Sequence, residues 1–219
     1  MSTFIKQCSV STVIAALLMS AVYVSFEPTL SNAATTESDN VTVSLTVDAS
    51  VSITDAPNVT MTPNIDAAIS TSTASSTWNV KTNDPDGYTL TIRNASTSPA
   101  LKHSTTPSLN FANYTEATPG TPEILGVDSG TYQFAYSARG TDVSTGTYGT
   151  GANCGTGTTP TLTLKYRHAS TSAILAATRA ATTTTSGVDT EVCWVAIQNG
   201  VYAPAGSYSA LITTTANVI

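Results

Sequence analysis

His103 and His168 are the chain's two histidines, so any nucleophilic mechanism needing an imidazole must use one of them. Serine is abundant enough to supply a hydroxyl almost anywhere. A hydrolase nonetheless needs the base beside the nucleophile and a third group to orient it. His103 sits in a turn-rich tract and His168 follows the end of an alternating run. Neither falls in a known catalytic signature, and the chain contains no Gly-x-Ser-x-Gly elbow. The expected reading is a solvated surface position for both and no catalytic residue; a secreted hydrolase using either one ranks third among the functions considered. Glycoside hydrolysis would require two carboxylates across a cleft, which the sequence alone does not pair.

Other motif-like strings also resolve into structure before chemistry. Glycines 146, 149, 151, 155 and 157 lack both the dinucleotide and the P-loop spacing, and no helical pattern follows them. They read as a flexible loop around Cys154. Asp84-Pro85-Asp86-Gly87 resembles the start of a calcium loop, but the twelfth position from Asp84 is Ala95, where a glutamate is required. A turn is the expected reading. Two distant cysteines and two histidines fall short of a metal set. No cofactor and no metal are expected.

The elements that would position these residues begin with an export leader. Lys6 precedes an apolar run over residues 10–26, and Ser31-Asn32-Ala33 offers small residues at a cleavage site. Residues 1–33 therefore read as a secretory signal peptide cleaved between Ala33 and Ala34. The alternative is a retained anchor, for which about 17 residues is marginal against roughly 30 Å of hydrocarbon. Cleavage removes Cys8 and leaves Cys154 and Cys193. Two cysteines in an exported chain are expected to form one disulfide, closing a loop of about 40 residues.

The rest alternates with period two. Val41, Val43, Leu45 and Val47 alternate with hydroxyl residues, followed by Val51 and Ile53. Trp78 and Val80 repeat the pattern, then Tyr88, Leu90 and Ile92. Tyr132, Phe134 and Tyr136 form a further set, as do Leu162, Leu164 and Tyr166. Val192, Trp194 and Ala196 are next, then Tyr208, Ala210 and Ile212. Strand side chains point alternately to opposite faces, so each run carries one apolar and one hydroxyl-rich face. Trp78, Tyr88, Trp194 and Tyr208 are expected in the core. Two hairpins are predicted: one across 82–87, pairing the Trp78 and Tyr88 strands, and one across 199–206. Residues 170–185 include Ile174-Leu175-Ala176-Ala177, a candidate helical turn. The tracts 94–130 and 139–160 read as long turn-rich loops, the first with an edge-strand candidate over 109–114. The fold expected for 34–219 is a single all-β domain, an antiparallel β-sandwich of the Ig-like or jelly-roll-like kind with about eight to ten strands.

Composition narrows the partners. Only 10% of residues are charged, the net charge is −6, and Ser and Thr make up roughly 30% of the chain. An acidic chain with eight Lys and Arg cannot neutralise a run of phosphates, which argues against nucleic acid. It also lacks a basic patch for anionic lipid, so membrane contact is expected only through the leader if that is retained.

Residues 76–83, Gly87-Tyr88-Thr89-Leu90 and 204–212 resemble the β-sandwich domains of secreted bacterial surface proteins, including the WxL-type cell-wall-associated domains. Trp78-Asn79-Val80, Tyr88-Thr89-Leu90 and Trp194-Val195-Ala196 approximate the Trp-x-Leu motif, which does not occur literally. The resemblance implies a surface-exposed sandwich in non-covalent contact with wall polysaccharide or other surface proteins. No Leu-Pro-x-Thr-Gly sorting motif follows the last strand, so covalent anchoring is not expected. The function expected is thus a non-enzymatic, structural or adhesive protein of the cell surface. The alternative is a subunit of an extracellular fibre or pilus, with the alternating strand at 42–47 completing a neighbour's sheet.

Overall fold

The computed structural model describes residues 40–219. The chain divides into two units, Met1–Thr46 and Val47–Ile219. The expected leader, its Ala33/Ala34 junction and Cys8 lie outside the described residues.

The second unit is all-β and sandwich-like, as its alternation predicts. Its principal sheet runs in the order β1 (Val51–Thr54), β2 (Thr71–Thr82), β12 (Val188–Asn199), β7 (Thr131–Gly140) and β5 (Ala112–Asn113). All neighbours are antiparallel except β5 and β7. A second sheet runs β11 (Ile174–Arg179), β3 (Tyr88–Asn94) and β14 (Ile212–Val218), antiparallel throughout. Three two-stranded ribbons complete it: β4 (Lys102–His103) with β13 (Tyr208–Ser209), β6 (Glu123–Ile124) with β10 (Lys165–Tyr166), and β8 (Gly155–Thr156) with β9 (Thr159–Pro160). One helical turn, α1 (Thr145–Tyr148), is capped by Ser144, whose hydroxyl accepts from the Thr147 N–H.

The main core lies between the two sheets. Val80, Phe134, Tyr136, Val192 and Trp194 meet Tyr88, Leu90, Ile92, Ala176 and Ala177 there, with Trp78 and Tyr208 packed at its margin. The four aromatic residues expected in the core are therefore in or against it.

Neither predicted hairpin forms. β2 has both edges taken, by β1 and by β12, and β3 joins the opposite sheet. The turn at 84–87 is real. Asp84 Oδ1 accepts from the Asp86 N–H at 2.8 Å, and the Gly87 N–H donates to the Asp84 carbonyl at 3.1 Å. It carries the chain across the sandwich instead of reversing it within one sheet. Gly87 is required there: its φ is +91°, and a Cβ would sit 1.8 Å from the Arg179 carbonyl oxygen. The second connection behaves alike, since β12 lies in the first sheet and β14 in the second.

Three further expectations are corrected. The candidate helical turn at 174–177 is strand β11, paired to β3; its Ala-rich stretch lies against the core, where sheet pairing overrides propensity. The run 41–47 is in no strand, and Val41, Val43, Leu45 and Val47 are 72–89% exposed. Leu162 is exposed and only Lys165–Tyr166 of its run is strand. By contrast the 109–114 candidate contains β5, paired to β7.

The long tracts build a layer of their own. β7 and β12 show almost unbroken burial. Their second face, with Ala135, Cys193 and Val195, is covered by Tyr114, Cys154, Leu164 and Tyr166 from the tracts.

Candidate functional site

The two histidines occupy separate structural settings. His103 Nδ1 lies 3.3 Å from the Thr105 N–H and 3.2 Å from the Thr106 N–H, which makes it an acceptor that caps the turn. Its ring meets Tyr208 edge-on at 5.1 Å, and Gly206 has no side chain because His103 Nε2 occupies the space. Among the described residues, the side-chain hydrogen bonds of His103 all serve this turn, and its backbone N–H donates to the Leu109 carbonyl at 2.9 Å.

His168 belongs to a more organised cluster. Its backbone N–H and its Nδ1 both lie 3.1 Å from Oε1 of Glu116, whose side chain is 1% exposed. A carboxylate only accepts, so Nδ1 carries the hydrogen and Nε2 is the free ring nitrogen. The other Glu116 oxygen accepts from the Gly120 N–H. Arg167 Nε stands 3.8 Å from Oε1, an ion pair without a hydrogen bond. Backbone bonds between Arg167 and Tyr136, at 2.8 and 2.9 Å, tie the group to β7.

A carboxylate that orients an imidazole is two-thirds of a hydrolytic triad. The third member would be a hydroxyl hydrogen-bonded to His168 Nε2, and the described residues place none there. What the cluster does do is clear from its geometry. One buried carboxylate collects two backbone N–H groups, a ring N–H and a guanidinium from two loop tracts. It fastens residues 116–120 to 167–168 and both to the sheet.

A second buried carboxylate acts alike. Asp142 accepts from the Tyr88 hydroxyl at 2.7 Å and from Arg179 at 3.2 Å, linking β3 and β11 to the segment after β7. A cleft of about 450 Å³ is lined by Thr77, Arg139, Gly140, Gly187, Asp189 and Glu191. Arg139 is ion-paired with Glu191 across it, and Asp189 accepts from Asn79 at 2.7 Å. It contains neither histidine. Among the described residues, no group of three or more His, Cys, Asp or Glu is placed to hold a metal ion.

Cys154 and Cys193 form a disulfide, 39 residues apart in sequence. It joins the glycine-rich tract to the central strand β12, inside the second core.

Sequence reasoning named both histidines and both cysteines but missed Glu116, Asp142 and the partners they bind. Each is a lone acidic residue in a tract without periodicity, so no local pattern marks it.

Buried tyrosines give the molecule a predictable alkaline limit. Burial raises Tyr114, Tyr136 and Tyr148 above the ordinary value of 10 and pushes Tyr166 up to about 12. Tyr88 is raised further, by burial first and then by donating to the Asp142 carboxylate. These hydroxyls stay protonated in the folded chain after the unfolded chain would have released its protons. The tyrosines' contribution to stability is therefore flat below pH 10 and is lost as pH rises from 10 through the folded values. The melting temperature should hold from pH 7 to 9 and drop steeply above 10. Absorbance at 295 nm should show these tyrosines ionising in one cooperative step with unfolding. A smooth titration centred at 10 with the fold intact would contradict this.

Comparison with models of known protein families and with curated proteins finds no match to this chain.

Proposed function

We propose that this is a non-enzymatic structural protein of the bacterial cell surface, an exported β-sandwich in non-covalent contact with wall polysaccharide or neighbouring surface proteins. The observation that carries the reading is the Cys154–Cys193 disulfide within the second core. Structural disulfides persist in oxidising compartments outside the cytosol. No helix of the described residues is long and apolar enough to cross a membrane. The polar groups support a scaffold role: Glu116 and Asp142 hold loops to sheets, and Arg139 in the cleft is paired with Glu191. The resemblance to WxL-type surface domains favours the wall as partner.

Fractionation of the producing cells tests this. The protein should sediment with the envelope, be released by concentrated salt or chaotrope, and run as a disulfide-bonded species without reductant. Recovery from the cytosol with free thiols, or solely from the culture medium, would overturn it.

The fibre-subunit reading is favoured by one specific observation, the exposed alternating run at 41–47.

A further inference from the structure

We infer that Tyr136, Arg167 and Tyr148 form a binding site for one buried water molecule, which joins β7 and α1 to the loop tract that Glu116 fastens.

Two donors define the site. Tyr136 is fully buried, and its hydroxyl has no hydrogen-bond partner among the described residues. Nε of Arg167 is equally shielded from solvent and equally without a partner among them. Glu116 Oε1 stands 3.8 Å from this nitrogen, beyond hydrogen-bond reach. A buried donor left without an acceptor costs the fold its full desolvation penalty. Such groups in folded proteins are met by other protein groups or by ordered water.

The backbone brings the two donors to one place. Tyr136 and Arg167 face each other across an antiparallel bridge, and each N–H is bonded to the other's carbonyl, at 2.9 and 2.8 Å. Side chains directly opposite each other in such a pair leave the ladder on the same face. For Tyr136 that face is the main core, where it packs with Tyr148 and Trp194. The neighbouring Tyr166 points the other way, into the second core. The Arg167 side chain therefore starts on the main-core side of β7, next to Tyr136.

Tyr148 closes the site from α1. Its ring centroid lies 6.4 Å from that of Tyr136, and the residue is buried. Its hydroxyl proton is committed to the Leu175 carbonyl at 2.9 Å, so its oxygen has only lone pairs left to offer. Burial is what chiefly holds the Tyr136 and Tyr148 hydroxyls protonated, and after burial each feels the other, Arg167 and Glu116. Two donors and one acceptor thus converge away from bulk solvent.

Charge selects the occupant. An anion could accept from both donors, but it would stand near Glu116, whose carboxylate already offsets the Arg167 charge. The site would then bury an unbalanced negative charge, which is costly. A cation is repelled by the guanidinium and finds no free carboxylate oxygen pointed at it. Water is neutral and carries both lone pairs and protons. It accepts from the Arg167 Nε–H and the Tyr136 O–H and donates to the Tyr148 oxygen. Three partners are what a buried water ordinarily has. Through Tyr148 the bridge also reaches β11, so it ties together segments that the Glu116 carboxylate does not touch.

Nuclear magnetic resonance of the intact disulfide-bonded chain tests the proposal, beside a crystal structure and the Tyr136→Phe variant. The Tyr136 hydroxyl proton and the Arg167 Nε proton should both cross-relax with a long-lived bound water. The crystal should place that water within about 3.2 Å of both atoms. Tyr136→Phe keeps the ring and removes one anchor of the water, so it should raise the unfolding constant about fivefold to tenfold. A Tyr136→Phe variant as stable as wild type, or more so, would show a hydroxyl with no partner and overturn the proposal. A direct Tyr136–Tyr148 hydrogen bond with no water between would also overturn it. So would a bromide ion found at the site in crystals soaked in bromide, since that would assign an anion.

Discussion

Glu116→Ala is expected to destabilise the fold by about 3–5 kcal/mol, the cost of removing one partner from a buried ion pair. The carboxylate is 1% exposed and sits beside Arg167, whose side chain is 12% exposed. Without it the guanidinium keeps its charge in a largely dry site with no counter-ion. The N–H groups of Gly120 and His168 lose their acceptor as well. Loops 116–120 and 167–168 would come away from the sheet first, because Glu116 is their shared fastening. Glu116→Gln separates the two contributions. The amide oxygen still accepts hydrogen bonds while the charge is gone, so its loss should be smaller than that of the alanine. His168→Ala removes a ring 29% exposed and should cost less than either. Denaturant unfolding of the three variants gives the ranking. A Glu116→Ala loss below about 1 kcal/mol would mean that the cluster is not what holds these loops. Retention of any hydrolytic activity through these changes would separate chemistry from the cluster altogether.

The Cys154–Cys193 disulfide should carry a comparable share of the stability. Closing a loop with a 39-residue separation is worth about 4 kcal/mol on the chain-entropy model. For a chain of this size that corresponds to a fall of roughly 8–16 °C in melting temperature on reduction. The Cys154→Ser/Cys193→Ser double variant should fall further than reduction alone, because both positions are buried and each serine introduces a hydroxyl into the apolar second core. Cys154→Ala/Cys193→Ala avoids that hydroxyl and should match the reduced protein. Calorimetry with and without reductant checks the first expectation. A shift under about 3 °C would show that the loop layer is held by its packing and by Glu116, not by the bridge.

Much of the fold was legible because period-two alternation is a local property. The runs at Trp78, Tyr88, Tyr132, Val192 and Tyr208 each announce a strand and its apolar face. Each contributes to the observed core. The disulfide was legible for a different reason: Cys154 and Cys193 are the two cysteines outside the expected leader. The hairpins were not legible. Alternation states which face is apolar but not which strand lies alongside, and short turns serve hairpins and sheet crossings equally. At 84–87 the choice belonged to β12, which occupies the edge of β2 that a hairpin partner would have needed.

The second core was hidden too. Cys193, Val195 and Ala135 stand on the face that alternation assigns to solvent, yet they are 1–2% exposed. Only the arrival of the turn-rich tracts over β7 and β12 buries them. The polar cluster follows the same logic, since Glu116 and His168 are 52 residues apart and meet through those tracts.

The amino-acid order by itself determined that the domain would be built from strands and that each would carry one apolar face. Tertiary structure alone decided which strands became neighbours, that loops formed a third layer, and that a solitary glutamate became its fastening. The physical reason is range. Side-chain alternation follows from the geometry of consecutive residues, whereas pairing and burial depend on competition among segments far apart in sequence for the same edges and faces.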